Sequence, residues 1–396
     1  MSDLNLPEIP LEAEVPSDVE DVRDESLGAA SYAFIGSGQG GGRLAEAFYR
    51  LGYKKTICVN TAKQDLASLS LPDEQKILIP AGEQGAGKDM RIGEEAAANA
   101  QQQVFELIKK KFGSVDHIFV CLGAGGGSGG GSSLVLIETA KKLLTSLGVD
   151  NVDQKVGVVM SLPTNGECAS PNVARNAQFL ASALTKYASE KLISPLIVVD
   201  NDKIQKMYPR LTVKEFWPTV NATVAGLFHV FNLIPTKDTP YTTFDAADYG
   251  SIMRAGGCMI MGVTSVKDLK DANGISSAIR GNLEKTLLAE GFDLRTATHA
   301  AAIVLGGKSI FEQTPGLMGA IEGGLDTLAM MTGKAMVHRG IYEDDKDRLA
   351  VYTLVGGLAS PDKRIKALGR HQAPKGDEKT ESNMPAPKFG SRLYDE

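Results

Sequence analysis

The stretch that most restricts the fold is residues 121–133, CLGAGGGSGGGSS. In isolation a Gly/Ser run has the composition of a flexible tether, but its flanks exclude one. VDHIFVCLG before it is a β-rich apolar run suited to a buried parallel strand, and SSLVLIETAKKL after it has helical spacing. In an open α/β sheet, ligands bind outside the carboxyl ends of the strands, and a glycine turn at a helix N-terminus presents backbone N–H groups to an anion. Strand–helix turns usually run about 2–6 residues, and this one is longer. Gly125–Gly131 is therefore expected to wrap a phosphate chain, with Ser128 adding a hydroxyl donor.

The same alternation extends along the chain. SYAFIG (31–36), KTICVN (55–60), KVGVVMS (155–161) and PLIVVD (195–200) read as further buried parallel strands, with helical patterns between them. The expected fold class is α/β: a doubly wound parallel-sheet nucleotide-binding domain, a long connecting helix opened by Pro218, then a smaller α+β domain. The length of 396 residues with 43% apolar content suits two core-bearing domains. A net charge of -6 argues against direct nucleic-acid binding, and no apolar run approaches the ~20 residues of a membrane span. Cys58, Cys121, Cys168 and Cys258 show no CxxC or paired-His pattern, so no metal site is expected. Those thiols, and an N-terminus without a secretory apolar region, fit a cytoplasmic protein. The ends differ in character: residues 1–29 read as a disordered acidic arm, and 359–396 as a flexible tail closing on Phe389, Leu393 and Tyr394.

Two further glycine loops accompany the first. IGSGQGGGR (35–43) contains a literal GxGxxG, but the second strand ends Asn60-Thr61-Ala62, without the acid a dinucleotide ribose requires. GEQGAGKDM (82–90) imitates a P-loop, yet Asp89 stands where Mg²⁺ would need Ser or Thr.

Three phosphate-type loops in one sheet, in the order GQGGGR, GAGK and AGGGSGGGSS, resemble the tubulin/FtsZ superfamily. AGGGSGGGSS is similar to its signature GGGTGTG and VNTAKQDL to its second loop, and Gln39 and NTAKQDL stand nearer the archaeal CetZ branch than the FtsZ pattern. The resemblance covers about residues 31–357. It implies GTP/GDP with Mg²⁺, contacts from Gly38, Gln39, Gly40 and Gly41 to the α/β-phosphates, and Asn60 in the second loop. It implies Gly85, Ala86 and Gly87 near the γ-phosphate and Gly125, Gly126, Gly127, Ser128, Gly129 and Gly130 around the phosphate chain. Pro163 with Glu167 matches the ribose loop, and Asn201 and Asn221 match the two readers of the purine edge. Departures are Ala62 for Asp, Gly42 for Asn, and Pro171 for an arginine that Arg175 would replace.

TFDAADYGSIMRAGG (243–257) resembles the family's catalytic loop NxDxxD, with Thr243 for Asn and Asp245 and Asp248 retained. An Asp caps a helix well, which accounts for one carboxylate and leaves the second unexplained. The resemblance implies domains at 30–212 (GTP-binding), 213–236 (connecting helix) and 237–358 (GTPase-activating), head-to-tail self-assembly into filaments, and an adaptor on the tail. The competing readings are a non-polymerising regulatory member of the family and an NAD(P)-binding oxidoreductase.

Overall fold

A computed structural model describes residues 27–81, 85–284, 288–289 and 291–369. The acidic arm up to residue 26, Gly82 of the P-loop imitation and the tail beyond residue 369 lie outside the described residues. The strands are β1 (Tyr32–Ser37), β2 (Thr56–Asn60), β3 (Lys76–Leu78), β4 (His117–Gly123), β5 (Val156–Leu162), β6 (Leu196–Asp200), β7 (Cys258–Val266), β8 (His299–Gly307), β9 (Met336–Asp344) and β10 (Leu349–Leu358). The helices are α1 (Gly38–Arg50), α2 (Lys63–Ala67), α3 (Met90–Asn99), α4 (Gln101–Phe112), α5 (Gly127–Ser146), α6 (Pro171–Ser189), α7 (Asn201–Met207), α8 (Val213–Leu233), α9 (Ala246–Met253), α10 (Gly274–Glu284), α11 (Lys308–Gln313), α12 (Leu317–Thr332) and α13 (Asp362–Leu368).

The strands form one sheet in the order β3-β2-β1-β4-β5-β6-β7-β10-β8-β9. From β3 to β7 every pairing is parallel; β10 runs antiparallel to both β7 and β8. The two halves meet where Leu196 and Ile197 pair with Cys258 and Met259. β1 and β2 are buried along their whole length, as strands covered on both faces must be. Phe34 stacks on Phe48 of α1, with ring centroids 3.9 Å apart, and Phe228 of α8 meets Tyr32, Phe34, Phe48 and Phe119 edge-on. This aromatic cluster seats α8 on the sheet.

Two boundaries depart from the sequence reading, for one reason. α1 begins at Gly38 and α5 at Gly127, so both helices start inside their glycine runs. The loop wrapping a phosphate chain shrinks from Gly125–Gly131 to Ala124–Gly126. Glycine is a poor helix former, and packing supplies what propensity lacks: a Cβ on Gly131 would overlap the carbonyl oxygen of Met90, and one on Gly127 would press on the Lys88–Asp89 backbone. The glycines let α3 and α5 approach backbone to backbone.

The four cysteines are free and buried, Cys58 and Cys121 inside strands as expected. Burial pushes the Cys58 and Cys258 thiols up to about 12. Among the described residues no group of three or more His, Cys, Asp or Glu could hold a metal, and no helix is long and apolar enough to cross a membrane.

Candidate functional site: a phosphate cradle and a distant acidic loop

Register aligns the strand ends. Ser37 pairs with Val59 on one side and Leu122 on the other, Gly123 pairs with Ser161, and Leu162 with Asp200. The loops after β1, β2, β4, β5 and β6 therefore open along one edge of the sheet, where a parallel sheet binds its ligand.

At the centre of that edge two helix N-termini converge. Gly38, at φ +69, lies so close to Gly129 that a Cβ would sit 2.7 Å from its Cα. Neither α1 nor α5 has a side-chain cap, so the N–H groups of their first turns lack intrahelical partners. Gln39, Gly40 and Gly126 are exposed beside them. Paired, uncapped N-termini around exposed glycine backbone have the geometry of an anion cradle, and this is the observation that fits the site to a phosphate chain. Gly130 is not one of its donors, because its N–H bonds Gly126 O at 3.1 Å. Gly41 is buried with its bare Cα toward the Cys121 carbonyl, serving the contact of α1 with β4.

Side chains fix the loops to one another. Ser37 Oγ donates to Gly129 O (3.0 Å) and meets Ser132 Oγ (2.6 Å). Thr61 Oγ1 meets Ser128 Oγ (2.5 Å) and accepts the N–H of Ala86 (3.3 Å), tying the second, third and fourth turns together. Asn176 of α6 donates Nδ2 to Lys88 O (2.8 Å) and Gly125 O (3.4 Å). Sequence reading missed both residues. Thr61 sits beside Asn60 in VNTAKQDL and was within reach of motif reading, whereas Asn176 carries no local signal.

Several expected residues have internal tasks. Asn60 is buried, donating Nδ2 to Asp65 and accepting the Ala62 N–H, while Gln39 Nε2 donates to the other Asp65 oxygen (2.8 Å). Asp89 caps α3 by accepting the Arg91 N–H, and the Arg91 guanidinium holds its carboxyl below the usual range. That explains an acid in the P-loop imitation. Gly85, Ala86 and Gly87 form a turn before α3, with Ala86 buried and Gly87 exposed.

Along the same edge, Pro163 is buried and Glu167 accepts from the N–H and hydroxyl of Thr164. Arg175 turns to Asn172 (2.7 Å). The loop is braced from behind: Asn165 N–H donates to Asp202, and Arg364 of α13 grips Asp200 through Nε (2.6 Å) and Nη2 (2.9 Å). Asn201 is buried at the start of α7, and Asn221 is half-buried on α8, which packs against α7.

The acidic pair lies elsewhere. Asp245 accepts from the N–H groups of Ala247 (2.8 Å) and Asp248 (2.9 Å), and Asp248 Oδ2 accepts from Asp245 N–H (3.3 Å). This is a reciprocal capping box using both carboxylates, so capping accounts for the pair after all, contrary to the sequence argument. α9 is anchored at the opposite edge of the sheet from the cradle. Tyr249 Oη bonds Tyr32 Oη (3.0 Å) at the first residue of β1, and Met253 O accepts from Ser194 just before β6. At about 3.3 Å per residue, the length of β1 separates Tyr32 from the phosphate loops.

An open α/β sheet with two uncapped helix N-termini and exposed glycine backbone at one edge has the form of a multi-loop anion site. A family model described as Tubulin/FtsZ family, GTPase domain, matches residues 31–209. The tubulin-like protein TubZ of Bacillus cereus is 25% identical over 306 residues, spanning 71% of this chain and 67% of that protein. The GTPγS-form protofilament structure of TubZ from Bacillus thuringiensis serovar israelensis shares the fold, with TM-score 0.73 at 22% identity over 88% of this chain and 93% of that one. The GTPγS-bound protofilament of CetZ2 from Haloferax volcanii does so with TM-score 0.69 at 23% identity over 86% and 98%. Residues 31–209 are thus similar to the GTPase domain of the Tubulin/FtsZ family, and the matched relatives and shared folds are those of tubulin-like and FtsZ-like proteins.

Proposed function

We propose that this protein binds GTP in the cradle at the carboxyl edge of β1–β6 and assembles head to tail, each junction presenting the acidic loop of one subunit to the nucleotide of the next. One observation carries the reading: the cradle and the pair Asp245–Asp248 lie at opposite ends of the same parallel strands, so one subunit's acids serve another subunit's nucleotide. A heterologous contact of this kind that does not close gives a filament.

The roles follow position. The first-turn N–H groups of Gly38, Gln39 and Gly40, and those of Gly125–Gly129, hold the α/β-phosphates and the phosphate chain; Gly85–Gly87 approach the γ-phosphate. Pro163 and Glu167 line the sugar, and Asn201 and Asn221 read the purine edge. Magnesium would arrive with the nucleotide, held chiefly by phosphate oxygens and offsetting their charge. Residues 30–212 bind the nucleotide, 213–236 connect, and 237–358 carry the activating loop. In the reaction the water oxygen bonds to the γ-phosphorus. The bond from that phosphorus to the β–γ bridging oxygen breaks, its electron pair leaves on GDP, and the water proton passes to Asp248.

Asp248→Ala is expected to lower GTP turnover by about 10²-fold or more while a fluorescent GTP analogue still binds and the variant still sediments with slowly hydrolysed GTP. Full turnover in that variant would overturn the composite site. Sedimentation indifferent to GTP against GDP would instead favour a non-polymerising protein, and a co-purifying nicotinamide nucleotide an oxidoreductase.

A further inference from the structure

Of the two acids, one has a titratable partner. His338 on β9 places Nδ1 2.8 Å from Asp248 Oδ1, with the two side chains 12% and 31% exposed. Asp245 spends its carboxylate on the backbone N–H groups of α9. We propose that His338 is the positioning residue for Asp248, fixing its carboxylate at the junction face. This rests on the composite-site reading above and concerns how that site is tuned.

Hydrogen-bond accounting supports it. An ionised carboxylate only accepts, so His338 Nδ1 carries a hydrogen. Nε2 faces Ser251 Oγ at 3.3 Å, and that hydroxyl donates its single hydrogen to Asp248 O at 2.7 Å. Ser251 thus faces Nε2 while Asp248 faces Nδ1, so the ring is held at both nitrogens. Other groups face it from the elements packed around it. From α9 come Asp248 and, three residues before it, Asp245. From β8 the His299 ring lies parallel, centroids 6.2 Å apart, its pKa held down chiefly by burial. Lys191 acts on His299 in the same direction. From the preceding loop the Phe244 ring lies at 6.3 Å. On β9 itself, Arg339 is engaged by Glu322 of α12, and the Tyr342 hydroxyl by the Phe244 backbone.

The ring N–H at Nδ1 orients the Asp248 carboxylate. His338→Asn offers an N–H in place of Nδ1–H; His338→Leu fills space and offers none. Turnover per polymerised subunit, measured across a range of GTP concentrations, tests this. The expected result is most of the parent kcat in His338→Asn, and a loss of about 10-fold or more in kcat with little change in KM in His338→Leu. GTP-dependent sedimentation reports that each variant is folded and assembling; if His338→Leu does not assemble, His338→Ala takes its place. Parent turnover in His338→Leu, or a His338→Asn as impaired as His338→Leu, overturns the proposal. Asp248→Ala run alongside separates the two failures: a dead Asp248→Ala with parent-like His338 variants sinks only this inference, whereas a fully active Asp248→Ala sinks the composite site itself.

Discussion

His117, the first residue of β4, shows what a single buried group costs. Its ring stacks on Phe119 at 4.8 Å, and burial pushes its pKa down to about 3. The unfolded chain takes up that proton near pH 6.5, the folded one only near 3. Between those values the unfolded state binds more protons, so stability falls as pH falls, by about 1.4 kcal/mol per unit once the unfolded histidine is fully charged. Urea unfolding of His117→Phe across that window is expected to show a shallower pH dependence than the parent, and an equal slope would exclude His117 as its source. Site residues divide the same way: Asp245 and Asp248 stood out as an acidic motif, but nothing near residue 338 announced that its imidazole would meet Asp248. That contact joins residues far apart in the chain.

The helices that begin in glycine runs illustrate the element scale. Alternation of β-rich and helical patterns located the strands of the parallel half, β1–β6, except β3, whose three residues are too few for a periodic signal. It could not divide CLGAGGGSGGGSS into loop and helix, because the division depends on α3, some 35 residues earlier in the chain. Gly131→Ala should test this. Alanine favours a helix over glycine by about 1 kcal/mol, so an open site would gain stability. Here the added Cβ meets the backbone oxygen of Met90, and a loss of about 1–3 kcal/mol is expected by denaturant titration. Gly130→Ala is the control, since its Cβ would meet the flexible end of the Met90 side chain at 3.3 Å. Equal effects at the two sites would refute the backbone-contact account.

Across the whole molecule, the cradle and the acidic loop occupy opposite edges of one sheet, which makes a mixing experiment decisive. Gly40 is exposed, and a Cβ there meets nothing closer than 3.6 Å, so Gly40→Leu should fold yet obstruct the phosphates. Gly40→Leu and Asp248→Ala are each expected to be inactive alone. Mixed, they should recover part of the parent turnover, because an Asp248→Ala subunit contributes an intact cradle and a Gly40→Leu subunit an intact acid. Steady-state GTPase measured against the mixing ratio should peak at intermediate composition, and additive inactivity would argue for a site completed within one chain.

Local spacing alone carried the α/β class, the glycine turns expected to face a phosphate, the family resemblance and the candidate acids. Each rests on local spacing, which strand and helix periodicity and backbone chemistry make readable. The tertiary structure decided what each glycine is for, that Thr61 and Asn176 weld the turns into one cradle, that Asp245 and Asp248 cap their own helix, and that His338 stands behind Asp248. Those facts depend on which distant backbones come into van der Waals contact, and they are settled only when the sheet order and helix packing bring them there.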